Sequence, residues 1–279
     1  MTTVQGAKPA GLFVTDFDGT LMRSDGTLSE ADREALRGLA RRGVLRVVAT
    51  GRSLYSLQRS SAGNLPVDYV VFSCGAGVLD AASKRVIRKA GLSAEEVDRV
   101  VRLLDAMQLD FMVHSEIPRN HFFRYRRTGR DNPDFDRRIA LYRPFSSSLD
   151  GSRAPRRACQ VLAVLPAGRR DLFERIRRRL AGLSVIRTTS PLDHRSIWVE
   201  IFPDGVSKSH AVRWLCKELG VRRERVVAVG NDYNDVDLLE WAAQGIVVAN
   251  APQEMRRRFR TVSSHDRCGV AEAVSLCRL

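Results

Sequence analysis

The sequence predicts an α/β protein: a doubly wound parallel sheet interrupted by an inserted α+β module. Three observations predict it. The first 83 residues run strand, helix, strand, helix, strand with apolar strands; the same texture returns near the end of the chain; and residues 87–202 between them read differently. Apolar strands alternating with helices mark a parallel sheet covered on its faces.

Leu12-Phe13-Val14 is the first strand and stops at Asp16. Ser29 followed by Asp32 resembles a capping box, opening a helix through Leu36, Leu39 and Ala40 that ends before Gly43. Val44 to Ala49 forms the second strand, with Thr50-Gly51-Arg52 at its carboxyl end, and a helix through Leu54 and Leu57 leads to a third, Val67 to Phe72. Near the end, Ser207 to Leu219 has helical apolar spacing, and Val226 to Val229 runs as a strand into Gly230-Asn231-Asp232-Tyr233-Asn234-Asp235. A helix through Leu238 and Ala242, a strand from Ile246 to Ala249 and two short helical stretches follow, Pro252 fitting the first position of one. The middle is read as a helix from Ser93 to Met107, a strand from Phe111 to His114 and an irregular arginine-rich stretch from Arg119 to Ser148. A strand from Gln160 to Leu165, a helix from Asp171 to Leu180 and strands near Val185 and over Ile197 to Phe202 complete it. The expected division is therefore 1–86 with 203–279 as the sheet domain and 87–202 as the insert.

Composition narrows the class. The chain has 279 residues, 44% hydrophobic and 28% charged, enough for a sizeable core under a polar surface. No run approaches the ~20 apolar residues of a membrane span, and the short polar N-terminus argues against a secretory signal. Five dispersed cysteines read as reduced thiols, so a cytoplasmic protein is expected. The net charge is +14, with only five lysines among 46 basic residues. Residues 87–202 hold 23 basic and 14 acidic residues, a net of +9, which could draw in an anionic substrate. Nucleic acid is disfavoured, since no RRM, KH or zinc-finger pattern accompanies the charge and aromatic content is 7%. The helix bearing Arg175, Arg177, Arg178 and Arg179 reads as a solvated face; Arg124-Tyr125-Arg126-Arg127 reads as a surface loop or an anion grip.

Ligands of open parallel sheets bind beyond the carboxyl ends of the strands. Asp16-Phe17-Asp18-Gly19-Thr20, Thr50-Gly51-Arg52 and Gly230 to Asp235 should converge there, with Lys208 opening a nearby helix. Of two carboxylates spaced i, i+2, one can attack phosphorus while the other hands a proton to the leaving oxygen. Thr50, the Gly51 amide and Lys208 can hold a phosphate, and the oxygens near Asn231 and Asp235 suit Mg²⁺. Arg52 is read equally as a salt-bridge partner or a substrate contact.

These motifs resemble the haloacid dehalogenase (HAD) superfamily, and within it the Cof-type phosphatases with a type-2 cap. The carrying residues are Asp16 to Thr20, Thr50-Gly51-Arg52, Gly205-Val206-Ser207-Lys208 and Gly230 to Asp235. The resemblance implies a Rossmann-like core and a cap formed by the insert. It implies that Asp16 is the nucleophile and Asp18 the acid/base. Thr50, Gly51, Lys208 and Asn234 would hold the phosphate, and Asp16, the Asp18 carbonyl, Asn231 and Asp235 would hold Mg²⁺. Two positions depart from the family: Asn231 stands where relatives carry aspartate, and Cys74 where many carry asparagine. The implied activity is hydrolysis of a small phosphorylated metabolite such as a sugar phosphate. The alternatives are phosphomutase-type transfer, which uses the same carboxylates, and a non-catalytic basic RNA-binding protein.

Overall fold

A computed structural model describes residues 8–60, 64–151, 153–277 and 279. The chain forms two compact units, one of Met1–Arg52, Leu57–Ile87 and Lys208–Leu279, the other of Ser53–Ser56 and Arg88–Ser207.

The first part of the chain gives β1 (Gly11–Thr15), α1 (Glu30–Arg41), β2 (Val44–Ala49), α2 (Leu54–Gln58), β3 (Tyr69–Phe72), β4 (Gly77–Asp80) and β5 (Arg85–Lys89). The insert supplies α3 (Ala94–Ala106), β6 (Phe111–His114), β7 (Phe123–Arg126), α4 (Pro133–Leu141), β8 (Ser146–Ser148), β9 (Gln160–Leu165), α5 (Arg170–Arg179), β10 (Leu183–Thr189) and β11 (Ile197–Pro203). The chain then adds α6 (Lys208–Leu219), β12 (Val226–Gly230), α7 (Val236–Trp241), β13 (Gln244–Val248), α8 (Gln253–Arg256), β14 (Arg260–Val262) and α9 (Gly269–Leu276).

The first unit is built on an eight-stranded sheet ordered β14-β13-β12-β1-β2-β3-β4-β5. Strands β14 through β3 are parallel to their neighbours, and β4 turns back antiparallel to β3. The period of two along a strand places Leu12 and Val14 in one cluster with Ala211, Val212 and Leu215 of α6 and Leu238 and Leu239 of α7. Ser29 caps α1 as expected, accepting from the Asp32 amide. The buried Asp32 carboxylate then accepts the Ala271 amide at 2.7 Å, tying α1 to the first turn of α9. Burial pushes the Asp32 carboxyl up against the pull of these hydrogen bonds.

The second unit is a six-stranded sheet ordered β10-β11-β9-β6-β7-β8. Val97, Val100 and Leu104 of α3 and Phe173 and Ile176 of α5 pack with Phe111, Val113, Val161 and Ala163 of that sheet. A full capping box between Ser93 and Glu96 starts α3.

The stretch from Arg119 to Ser148, expected to be irregular, contains β7, α4 and β8. Asn132 caps α4 ahead of Pro133, and α4 buries only Asp134 and Phe135, too short an apolar signature to stand out in sequence. In β7 the arginines are engaged: Arg126 faces Asp105 and Asp150, Arg127 pairs with Asp136 at 2.8 Å, and Arg124 donates to the Arg153 and Ser148 carbonyls. Strands β4, β5 and β14 were also not expected; each is short, and β5 alternates exposed and half-buried residues. No helix of the described residues is long and apolar enough to cross a membrane.

Candidate active site

Strand order brings the polar clusters together. β1 lies between β2 and β12, and Thr15 pairs with both Val48 and Val229, so the chain leaves all three strands at the same level. Asp16 follows at once, its amide bonded to the Val229 carbonyl at 2.8 Å. Lys208, the first residue of α6, is fully buried and reaches the same edge. Its Nζ donates to Asp16 Oδ1 at 2.7 Å, to Asp235 Oδ1 at 2.6 Å and to Asn234 Oδ1 at 3.3 Å.

Asp235 is bonded through both oxygens. While Oδ1 takes Lys208, Oδ2 accepts the amides of Asn231 and Asp232 at 2.9 and 3.1 Å. The Asp232 side chain in turn accepts the Asp235 amide, closing a reciprocal cap. The carboxylate fits only because residue 230 is glycine: a Cβ there would lie 2.6 Å from the Asp235 carboxyl carbon.

One ammonium thus faces two buried carboxylates. Burial, reinforced by Asp235 and Asp18, pushes the Asp16 carboxyl up to about 7 despite the opposing pull of Lys208. Lys208 moves the other way from a simple buried amine. Desolvation lowers it, but Asp16 and Asp235 hold it well above the ordinary lysine range.

Asp18 points to Arg52. The guanidinium forks onto its carboxylate, Nε at 2.8 Å from Oδ2 and Nη2 at 2.6 Å from Oδ1, and also lies over the Phe17 ring. Thr50 is fully buried and its Oγ1 accepts the Arg52 amide at 3.1 Å, which leaves its own hydroxyl proton to donate. Gly51 sits between them. Asn231 Oδ1 accepts the Thr20 hydroxyl at 3.1 Å. Asn234 Nδ2 donates to Cys74 Sγ at 3.8 Å, so the cysteine noted in the sequence touches the site. Cys74 lies in a turn with left-handed φ at Ser73 and Cys74, whose amides bond the Arg52 and Thr50 carbonyls.

A family model for haloacid dehalogenase-like hydrolases matches residues 13–274. The chain belongs to the haloacid dehalogenase-like hydrolase family. It is 26% identical over 279 residues to "Putative phosphatase YxeH" of Bacillus subtilis (strain 168), covering 94% of this chain and 96% of that protein. Identity is also 26%, over 274 residues, to 5-amino-6-(5-phospho-D-ribitylamino)uracil phosphatase YitU of the same organism, covering 93% and 94%. Among solved structures, the HAD phosphatase BT1666 from Bacteroides thetaiotaomicron superposes with a TM-score of 0.78 at 20% identity, covering 98% of this chain and 97% of that one.

For this HAD hydrolase the oxygen donors at the strand ends fit a hard divalent cation. Asp16 offers a carboxylate, residue 18 a backbone carbonyl and Asn231 a carboxamide oxygen, and the excess of buried negative charge over Lys208 calls for a further cation. Among the described residues no group of three or more His, Cys, Asp or Glu side chains is placed to hold a metal. Asp235 accepts Lys208 on Oδ1 and the 231–232 amides on Oδ2, and its carboxylate keeps lone-pair capacity for a cation.

Proposed function

We propose that this enzyme is a Mg²⁺-dependent phosphatase that hydrolyses a small phosphorylated metabolite through an aspartyl-phosphate on Asp16. The observation that carries the reading is the buried Asp16–Lys208–Asp235 bridge beside a buried Thr50 at one sheet edge. Lys208 orients the Asp16 carboxylate, and with Asn234, Thr50 and the Gly51 amide it offers the donors a phosphoryl group needs.

In the first half-reaction an Asp16 oxygen forms a bond to phosphorus as the bond to the leaving oxygen breaks, and Asp18 gives that oxygen a proton. In the second, water attacks the phosphoryl group, Asp18 takes the water proton, and the Asp16 carboxylate is regenerated with free phosphate. The Arg52 fork holds Asp18 in place between the two proton transfers. Mg²⁺, when bound, offsets repulsion between the Asp16 carboxylate and the phosphate; Asp16, the Asp18 carbonyl, Asn231 and Asp235 would hold it.

Residues 87–202 are assigned as the cap that selects the substrate, and their +9 charge suits an anion. A sugar or sugar-alcohol phosphate is the substrate class we favour; the relative YitU is named for a phosphoribityl compound. The free cysteines, four of the five buried, support a reducing, cytoplasmic setting.

The test is a phosphate-release screen over phosphorylated sugars, sugar alcohols and nucleotides, with and without Mg²⁺. Metal-dependent release from a sugar-type phosphate is expected. No release from any member, with Mg²⁺ present, overturns the proposal; a phosphorylated isomer instead of free phosphate makes the enzyme a mutase.

A further inference from the structure

Asn250 follows β13 in an exposed turn, and nothing in the chemistry above uses it. Its carboxamide joins two segments. Nδ2 donates to the Gly19 carbonyl at 2.7 Å, and Oδ1 accepts the His265 amide at 3.2 Å. The atom facing Gly19 must be a donor and the atom facing His265 an acceptor, so a carboxamide satisfies both at once.

Gly19 is the residue after Asp18 and has a left-handed φ of +69°. A Cβ there would lie 2.6 Å from Asn231 Nδ2 and 3.7 Å from Asn250 Nδ2, so two carboxamides crowd the same peptide. The amides of Thr20, Leu21 and Met22 all converge on the Phe17 carbonyl, which closes the turn, while the Gly19 carbonyl takes Asn250. The far end of this loop is fastened to the same neighbouring turn. The Ser24 amide and hydroxyl donate to Asp266 at 2.9 and 2.8 Å, and Arg23 donates to the Asp266 carbonyl at 3.1 Å.

We propose that Asn250 is a positioning residue: by gripping the Gly19 carbonyl it fixes the Gly19–Thr20 peptide and, through the glycine's dihedrals, the direction of the Asp18 carbonyl and side chain. The need is physical. A glycine placed directly after an acid/base group has two wide basins open to it, and each would aim Asp18 differently. Holding the glycine carbonyl from outside the loop selects one basin without adding a side chain where Asn231 already sits.

The kinetic part of this inference rests on the phosphatase reading; the metal-binding part does not. Asn250→Ala and Asn250→Asp are compared with the wild type, with thermal melting as the folding check. On an aryl phosphate, kcat should fall about tenfold in both variants while KM stays within about twofold, because reach and orientation are lost rather than binding. Asn250→Asp keeps the size and the acceptor toward His265 but offers Gly19 no donor, so it should fare no better than alanine. Calorimetric titration with Mg²⁺ alone should show several-fold weaker binding to Asn250→Ala, since the Asp18 carbonyl is an expected ligand. Wild-type kcat in Asn250→Asp overturns the role, as does wild-type Mg²⁺ affinity in an alanine variant whose activity loss merely follows its melting temperature. If the wild type releases no phosphate, the phosphatase reading fails by itself and the Mg²⁺ titration still decides the role of Asn250.

Discussion

Lys208 Nζ sits 2.7 Å from Asp16 Oδ1, a contact between residues 192 positions apart in which the lysine is wholly buried. Asp235 completes the bridge at 2.6 Å. Removing the lysine leaves two desolvated carboxylates facing each other, so Lys208→Met should lower stability by roughly 3–5 kcal/mol near neutral pH. The loss should shrink in acid, where Asp16 can take a proton instead. Urea unfolding at pH 5 and pH 8 reads both; equal losses at the two pH values argue that the bridge carries no electrostatic stabilisation.

Asp16→Asn should abolish phosphate release and leave the fold intact, because an amide is no nucleophile toward phosphorus. Its pH dependence adds a second check. The folded-state pKa of Asp16 is raised, to about 7, above the ordinary value of 3.8. The stability held in the protonated form is therefore complete below about pH 4 and lost as pH rises through about 7. In metal-free buffer the variant's melting temperature should gain on the wild type by a few degrees between pH 5 and pH 8. A constant difference across that range contradicts the assignment.

Arg52→Ala frees Asp18 from its fork. Without that restraint the acid/base group loses its set position, and kcat should drop about tenfold for an alkyl phosphate. An aryl phosphate, whose leaving group departs with little help from a proton, should be affected much less. Equal losses on both substrates would assign Arg52 to phosphate binding instead.

Asn231→Asp puts a charge where the chain has a neutral carboxamide, in a space already shaped by the Thr20 hydroxyl. Mg²⁺ should bind about tenfold tighter, a gain of about 1.4 kcal/mol. The metal-free variant should melt lower, because a further carboxylate joins Asp16 and Asp235. Unchanged Mg²⁺ affinity by calorimetry removes Asn231 from the ligand set.

The sheet, its strand-end clusters and the residue types that meet there were legible in the residue pattern. Apolar strands ending at Asp16, Thr50 and Gly230 already imply the sheet edge where a ligand binds, because local pattern and the parallel topology leave few other arrangements. Tertiary structure alone decided the pairings within that edge. Arg52 was open between a salt bridge and a substrate contact, and the adjacency of β1 and β2 turned it to Asp18. Asp235 stood in the sequence as part of a polar loop, and the fold brought its oxygens to Lys208 and to the amides of that loop. Asn250 carried no motif; it sits after β13, where the turn of residues 264–267 and Gly19 come within reach of one carboxamide. The strand β7 stayed hidden among arginines whose partners lie as far off as Asp105 and Asp150. Each of these outcomes depends on which polar groups compete for the same donor across distant segments, and only the folded register fixes those distances.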